Sequence, residues 1–415
     1  MTDRLKVLFL TQRFLFPMDT GGKIRTGKLL EQLRGRWDIT LVGNYQPDGD
    51  ETWLALMEML GERYVRVPWT ETSRGTRGWY WDIFKKSFSS IPVTVQNDTS
   101  PELSEVVRRE LCYPQYDLFV CDFLQSTQNV PYPCPHPSLL FTHNVESRIA
   151  RRHAEQTRNP LMKFFWSRQA SLMKAYERRI AAHYDRVVAV SDSDREEFEA
   201  GFELQNVRTI PTGVDTALFE PRGVEREAGT IVFCGSMDWL PNQDGVRWFV
   251  KDVLPRITKE IPEARLVVVG RQPPDGFVKE VSRGSPVEFT GWVEDTRPYV
   301  DRAACYIVPL RIGGGTRIKI YEALSMQKAL VSTTVGAEGL PLEDGEHLHR
   351  EDEAEGFAAR VVQCLRDEEH SRAMGKRARD YVKQNFGWDK VADAFDAIAH
   401  EAVEARKSRP APTPA

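Results

Sequence analysis

A glycine-rich turn in the second half of the chain has the residue types of a phosphate-binding loop. Gly313, Gly314 and Gly315 follow an apolar run, and Thr316 is placed to cap the helix predicted to follow. Glycines let main-chain N–H groups approach an anion closely at a helix start. A plain glycine turn stays open as the alternative, because a glycine loop alone is a weak motif.

Three charged side chains come next, in the predicted helix over residues 317–327. Arg317 and Lys319 lie in its first turn, where cations oppose the helix dipole, and a bound diphosphate would remove that conflict. Glu322 lies further along, and its carboxylate can accept two hydrogen bonds from a ribose diol. The segment therefore indicates a nucleotide site, with two solvated cations beside an ordinary turn as the alternative.

Polar side chains also follow two apolar runs of the first half. Asp122 follows residues 118–121, and His143 and Asn144 follow residues 139–142. Open parallel sheets bind ligands beyond the carboxyl ends of their strands, so these residues are candidates for a binding site. A lone histidine is more often a packing or capping residue, and Asp122 is equally suited to cap a turn.

A glycine pair precedes the first leucine-rich helix, in residues 19–25 (DTGGKIR). Gly21, Gly22 and Arg25 are predicted to lie at the rim of a cleft. Helix capping by Asp19 or Thr20, with the glycines merely adjacent, explains the same pattern.

Residues 148–179 are strongly basic, with nine Lys or Arg against Glu155 and Glu177. Phe164, Phe165 and Trp166 interrupt the charges. A basic helix with aromatic residues in an acidic protein suggests contact with an anionic membrane or a lipid-phosphate acceptor. A solvated helix whose aromatic side chains pack inward is the alternative.

Short runs rich in Val, Ile and Leu are predicted to form the strands that position these residues. They are residues 5–10, 39–42, 64–67, 118–121, 139–142 and 186–190, and then 230–234, 266–269, 287–289, 305–308 and 330–333. Alternation of such runs with helical patterns predicts an α/β fold of two doubly wound, Rossmann-like domains that face each other across a cleft.

The breaks in this pattern set the expected boundaries. We predict a first domain over residues 1–210, a Pro- and Gly-rich linker over 211–229, and a second domain over 230–387. A helix over 388–406 is expected to pack back on the first domain, and residues 407–415 to be a disordered tail.

Composition excludes several classes of protein. The chain has 415 residues, 41% hydrophobic and 28% charged, which fits a soluble globular protein, and a net charge of -4 excludes a globally basic nucleic-acid binder. Six cysteines lack metal-type spacing and are expected to be reduced core residues. Without a signal peptide or membrane span, we expect a cytoplasmic protein, with attachment to the inner membrane face still open.

Several segments together resemble family 4 of the retaining glycosyltransferases, whose fold is called GT-B. They are residues 19–25, 210–221 (IPTGVDTALFEP), 233–245 (FCGSMDWLPNQDG), 267–270 (VVVG), 287–295 (VEFTGWVED) and 309–340. The resemblance covers nearly the whole chain. It implies a donor domain at the C-terminus and an acceptor-side domain, carrying Arg25, Asn144 and Asp122, at the N-terminus.

The activity that the resemblance implies is transfer of a sugar from a UDP- or GDP-sugar, with retention, to a polysaccharide or lipid-linked glycan in exopolysaccharide or cell-envelope synthesis. Glu322 corresponds to the second glutamate of the family's E-x7-E motif, which binds the ribose. His143 corresponds to a histidine that hydrogen-bonds the donor sugar, and the loop with Gly21 and Gly22 lies near that sugar.

The sequence departs from the family at two points. Gly314 stands where the first glutamate of E-x7-E is expected, and the segment after Gly235 has no cation before Arg247. We therefore expect the glycine-loop N–H groups, Arg317 and Lys319 to neutralise the diphosphate. No D-x-D follows a strand, since Asp192 and Asp194 fit a helix start, so no metal or other cofactor is expected.

Other functions fit less well. A sugar-nucleotide epimerase of the same fold stays open, as does a non-catalytic two-domain protein that closes on a sugar. A phosphorylase would need a pyridoxal-bearing lysine. A dinucleotide oxidoreductase fits poorly because no predicted strand is followed by G-x-G-x-x-G.

Overall fold

The computed structural model describes residues 4–11, 14–18, 20–46, 53–70, 76–157, 159–271, 273–312 and 318–407. Contacts between Cα atoms divide the chain into two units, Met1–Pro211 with Val391–Ala415, and Thr212–Lys390. The predicted glycine loop, Gly313 to Arg317, and Asp19 lie outside the described residues.

The N-terminal unit is built on a parallel sheet of seven strands in the order β3-β2-β1-β4-β5-β6-β7. The strands are β1 (Leu5–Thr11), β2 (Trp37–Tyr45), β3 (Arg63–Pro68), β4 (Leu118–Asp122), β5 (Ser138–Phe141), β6 (Arg186–Ala189) and β7 (Val207–Thr209). Strand β4 is buried along its whole length, which explains its continuous apolar run. The six strands predicted for this half are confirmed.

Helices connect these strands and cover the faces of the sheet. They are α1 (Gly21–Leu33), α2 (Leu54–Glu58), α3 (Arg77–Lys86), α4 (Val93–Asn97), α5 (Pro101–Leu111), α6 (Glu146–Gln156), α7 (Pro160–Ala181) and α8 (Asp192–Glu196). A 3-10 turn over Leu124–Asn129 follows β4. The prediction that Asp192 begins a helix is confirmed, and the Ser191 hydroxyl caps α8 by accepting from the Asp194 N–H at 3.1 Å.

The C-terminal unit repeats this architecture with a six-stranded parallel sheet in the order β10-β9-β8-β11-β12-β13. Its strands are β8 (Glu227–Cys234), β9 (Arg265–Val269), β10 (Val287–Gly291), β11 (Ala303–Val308), β12 (Leu330–Ser332) and β13 (His349–Arg350). The helices are α9 (Leu240–Trp248), α10 (Leu254–Glu260), α11 (Asp275–Val281), α12 (Arg297–Arg302), α13 (Ile318–Ser325), α14 (Ala354–Arg366), α15 (Glu368–Asn385) and α16 (Trp388–Lys407).

Two predicted boundaries are corrected. Strand β8 begins at Glu227, within the segment 211–229 that we expected to be linker, because Glu227 already pairs with Ala303 of β11. Helix α13 ends at Ser325 instead of residue 327, since Gln327 adopts a left-handed backbone with φ of 57°.

Helix α16 returns to the N-terminal unit. Its Phe395 ring packs edge-on against Phe141 of β5, with ring centroids 5.1 Å apart, and tilts against Trp37 of β2 at 5.9 Å. The Trp37 indole N–H donates to the Asp396 carboxylate at 2.6 Å. The helix extends one residue beyond the predicted 406, to Lys407, where the disordered tail was expected to begin.

The expectation that all six cysteines are core residues is wrong for Cys112. It caps the C-terminus of α5 on the surface, whereas Cys121, Cys134, Cys305 and Cys364 are buried. Among the described residues, no helix is both long and apolar enough to cross a bilayer.

Candidate functional site

A buried polar cluster lies at the carboxyl ends of β4 and β5 in the N-terminal unit. The His143 side chain is only 1% exposed, and its Nε2 lies 2.7 Å from Asp122 Oδ1. Helix α1 adds Arg25, whose Nη1 lies 2.8 Å from His143 Nδ1, and Thr26, whose hydroxyl donates to Asp122 Oδ2 at 3.0 Å. His143 and Asp122, both predicted as binding-site candidates at strand ends, thus lie in direct contact, and the packing of α1 brings Arg25 to them.

The contacts of His143 fix its protonation state. A guanidinium N–H can only donate, so Nδ1 accepts from Arg25 and the ring proton resides on Nε2, which donates to Asp122. Burial lowers the pKa of His143, although the neighbouring Asp122 partly offsets this. Burial also lowers the pKa of Arg25 to about 10. His143 is therefore a neutral imidazole with both nitrogens bound to protein groups.

Phe123 covers the imidazole. Its ring stacks on His143 with centroids 3.9 Å apart, and its backbone is left-handed, with φ of 66°. A Cβ at Gly22 would lie 2.3 Å from the Phe123 Cζ, so the glycine leaves the space that the ring occupies. The predicted donor-binding residue Gly22 thus has a packing role that sequence reasoning missed, because Phe123 was not considered.

The other residues predicted near this cluster lie at helix starts. Gly21 is the first residue of α1, and Thr20 occupies the N-cap position, as the capping alternative had it, although its side chain makes no capping hydrogen bond. Asn144 is half-buried just before α6 and hydrogen-bonds the Glu146 side chain. The Glu177 carboxylate occupies the N-terminus of α6, accepting from the Glu146 and Ser147 N–H groups at 2.7 and 3.1 Å.

The C-terminal unit holds a cation at the end of its central strand. Lys319 Nζ lies 4.9 Å from the centroid of Phe233 and 3.5 Å from Asn242 Oδ1. A Cβ at Gly235 would lie 2.9 Å from that Nζ, and a Cβ at Gly270 would lie 1.9 Å from the Gly235 carbonyl oxygen. Bare backbone at the ends of β8 and β9, beside an ammonium, is suited to receive an anion.

Glu322 lies one turn after Lys319 on α13. Its desolvation raises the pKa of its carboxyl to about 7, and the Lys319 charge offsets only part of this rise. A carboxylate that lacks full solvation gains from hydrogen-bond donors supplied by a ligand. The side chain is half-buried.

A second cation near β8 was missed by sequence reasoning. Arg271 lies two residues beyond the end of β9, and its Nε donates to the Ser236 hydroxyl at 3.1 Å. It therefore lies beside the segment after Gly235 that we described as lacking a cation. Parallel neighbours end at the same edge of a sheet, so the VVVG ending of β9 was the signal for it. Asn242, which lies within residues 233–245 and whose Oδ1 is 3.5 Å from Lys319 Nζ, was also not predicted as a site residue.

The basic segment 148–179 is partly neutralised within its own unit. Arg148 pairs with Asp194 and Glu197 at 2.5 and 2.6 Å, and Arg178 pairs with Glu203. Residues 148–179, which span α6 and α7, are therefore less positive than their own sequence suggested. Phe164 is 72% exposed, whereas Trp166 is half-buried and stacks on His153.

The described residues contain no group of three or more His, Cys, Asp or Glu side chains arranged to hold a metal ion. Lys319 and Arg271 place positive charge beside Phe233 and Ser236, at the end of β8.

Two family models match the chain. The model described as Glycosyltransferase Family 4 matches residues 102–218, and the one described as Glycosyl transferases group 1 matches residues 228–367. The first match ends and the second begins near the junction of the two units.

Curated relatives are distant. An uncharacterised protein of the cps region of Klebsiella pneumoniae is 19% identical over 407 residues, covering 95% of this chain and 99% of that protein. The GDP-mannose-dependent alpha-(1-6)-phosphatidylinositol dimannoside mannosyltransferase of Mycobacterium tuberculosis is 28% identical, over 52% of this chain and 57% of the relative. The chain therefore matches little more than half the length of that enzyme.

Solved structures share the fold along nearly the whole chain. Sucrose-phosphate synthase from Thermosynechococcus elongatus superposes with a TM-score of 0.69 at 16% identity, covering 97% of this chain and 100% of that one. The Anabaena protein HepE in complex with UDP gives 0.66 at 14% identity, covering 95% and 99%. With two parallel-sheet units matched by the two models, the chain belongs to the family 4 glycosyltransferases and has the GT-B fold of two Rossmann-like domains.

Proposed function

We propose that the protein transfers a sugar from a nucleoside diphosphate donor to a hydroxyl group of a polysaccharide or lipid-linked glycan, with retention at the anomeric carbon. The observation that carries the proposal is the cradle at the end of β8. There Lys319 faces the bare backbone of Gly235, with Glu322 one turn further along the same helix. A cation for phosphate and a carboxylate for ribose are thus supplied by one short helix.

In the proposed reaction the acceptor oxygen bonds to the anomeric carbon as the bond from that carbon to the diphosphate oxygen breaks. The leaving diphosphate takes the electron pair, and the acceptor proton passes to a phosphate oxygen. Lys319, Arg271 and Arg317, with the N–H groups of residues 313–316, stabilise the charge that develops on the phosphate. Because these groups supply positive charge and N–H donors, we propose that no metal ion or other cofactor is required.

The N-terminal cluster is proposed to serve the transferred sugar and the acceptor. The predicted contact between His143 and the sugar requires Nδ1 to exchange the Arg25 N–H for a sugar hydroxyl, since both ring nitrogens are engaged. Asp122 and Thr26 then keep the ring oriented during that exchange. Arg25, Asn144 and Asp122 remain predicted acceptor-side residues, and Gly21 a predicted donor contact.

The donor is proposed to be a UDP- or GDP-sugar, used in the cytoplasm at the inner face of the membrane for exopolysaccharide or cell-envelope synthesis. Support comes from the HepE complex with UDP and from the GDP-mannose dependence named for the mycobacterial relative. That relative acts on a phosphatidylinositol dimannoside, which supports a lipid-linked acceptor here.

Incubation with UDP-, GDP- and ADP-sugars, followed by chromatography of the nucleotides, tests this proposal. We expect release of nucleoside diphosphate from one donor class, unchanged by a chelator, and an unchanged anomeric configuration by NMR of the product. Conversion of the donor to its epimer without release would favour an epimerase. Binding of a donor without release or epimerisation would favour the non-catalytic sugar-binding alternative.

A further inference from the structure

Helix α3 of the N-terminal unit presents an aromatic surface that the proposed reaction does not use. None of its residues is buried. Trp81 is 58% exposed, Tyr80 and Phe84 are similarly exposed, and Phe88, just beyond the helix, is 73% exposed. Scattered exposed apolar side chains are ordinary, but a contiguous group of them usually marks an interaction site.

These side chains form one continuous patch. Residues 81, 84 and 88 have the spacing that places side chains on one face of a helix. The rings of Trp81 and Phe84 stack with centroids 5.5 Å apart, and the Phe88 ring meets Phe84 edge-on at 5.1 Å. With Arg77 and Tyr80, Trp81 and Phe84 also line an open depression on the surface. We call this set, residues 77–88, the α3 surface.

The charges on the α3 surface are mostly positive. Residues 77–88 contain three cations, Arg77, Lys85 and Lys86, and one carboxylate, Asp82. Asp82 pairs with Lys86 at 2.5 Å. The Lys85 ammonium lies 5.4 Å from the centroid of the Trp81 ring. Cations therefore lie among the aromatic rings themselves.

The first turns of helix α7 also combine exposed apolar side chains with a cation, and α7 is hydrogen-bonded to the segment after α3. Arg168 of α7 donates to the carbonyl oxygens of Ser87 and Ser89, the latter at 3.0 Å, just beyond α3. In the first turns of α7, Leu161 and Phe164 are exposed, with Lys163 between them. The first turn of α7 contains no acidic residue.

We propose that the α3 surface docks the protein on an anionic lipid bilayer. Aromatic rings settle at the level of lipid headgroups, and neighbouring cations attract anionic phosphates. The proposal rests on the proposed lipid-linked acceptor, which lies at such a surface. It differs from the prediction for residues 148–179, because ion pairs to Asp194, Glu197 and Glu203 take up part of that charge.

Sedimentation with vesicles tests the proposal, using phosphatidylcholine alone and an equal mixture with phosphatidylglycerol. Wild-type protein is expected to pellet with the anionic vesicles. The double variant Trp81→Ser with Phe84→Ser should bind these vesicles at least about tenfold more weakly than wild type, since two exposed rings no longer enter the interface. Lys85→Glu should weaken binding to anionic vesicles and flatten its salt dependence, because less of the remaining binding is electrostatic. Tyr113→Ser, an exposed ring outside the surface, is the matched control.

Release of nucleoside diphosphate from a soluble donor separates this proposal from the proposed function. The double variant should keep wild-type release and wild-type thermal unfolding while losing vesicle binding. The conservative single variant Trp81→Phe, which keeps a ring at this position, should bind vesicles like wild type. Equal pelleting of wild type and the double variant would overturn the bilayer proposal. A change from dimer to monomer in the variant, without vesicle binding by wild type, would overturn it in favour of self-association. Absence of release from wild type would count against the proposed function alone.

Discussion

At the scale of single residues, the protonation of two buried groups determines what the candidate site can do. His143 is held neutral between a donor, Arg25, and an acceptor, Asp122, so its ring is a hydrogen-bonding group and not a free base. Glu322, in contrast, changes its protonation state near neutral pH, because desolvation raises the pKa of its carboxyl to about 7. Its charge, and hence its value as a ribose ligand, is sensitive to pH.

Donor affinity should therefore depend on pH through Glu322. The carboxylate accepts ribose hydroxyls only when ionised, so affinity should be full above about pH 8 and fall by up to about tenfold per unit below pH 7. Glu322→Gln should bind donor more weakly at pH 8 and show a flat profile. Calorimetric titration from pH 6 to 8 measures both. A wild-type profile without slope, or a variant that keeps the slope, would assign the dependence to another group.

At the scale of elements, the positions of most strand ends could be predicted from the sequence. The contacts that helices make with those strand ends could not. Continuous apolar runs predicted eleven strands, because parallel strands are buried on both faces. Strands β7 (VRT) and β13 (HR) were missed because each is short and contains too few apolar residues to make a recognisable run. Asp122 and His143 followed from the strand-end rule, but the approach of Arg25 and Phe123 to His143 depends on how α1 and the turn after β4 pack.

Gly22→Ala tests that packing. The added methyl group would meet the Phe123 ring at 2.3 Å, so the ring must leave its place over His143. We expect a loss of about 1–3 kcal/mol in the free energy of unfolding by urea, from overpacking. Gly35→Ala, where nothing lies within 4 Å, is the matched control and should change stability by less than about 1 kcal/mol. If Phe123→Ala does not relieve the effect of Gly22→Ala in the double variant, the clash is not its cause.

At the scale of the whole molecule, the chain crosses between units twice. It enters the C-terminal unit at Thr212 and re-enters the N-terminal unit at Val391, so α16 packs against a sheet whose last strand along the chain, β7, ends at Thr209. The helix itself could be predicted from its periodicity. Its bonding to Trp37 through Asp396 is a tertiary contact that no local pattern contains.

Phe395→Ala should destabilise the N-terminal unit. The ring is fully buried against Phe141 and Trp37, and its loss leaves a cavity that costs about 3–5 kcal/mol. Calorimetry should show a lowered unfolding transition for this unit, whereas Lys407→Ala, exposed on the same helix, should leave it unchanged. A shift confined to a transition of the C-terminal unit would mean that α16 stabilises the other unit.

The most direct test of the account is a titration of nucleotide sugars into wild-type protein, Lys319→Ala and Lys376→Ala. Lys319 faces the bare backbone of Gly235, while Lys376 lies exposed on α15 and pairs with Asp380. One class of UDP-, GDP- or ADP-sugar should bind to wild type and Lys376→Ala alike, and bind about tenfold or more weakly to Lys319→Ala, because a phosphate loses its charged partner. Binding of no nucleotide sugar, or equal binding by all three proteins, would contradict a donor site at the end of β8.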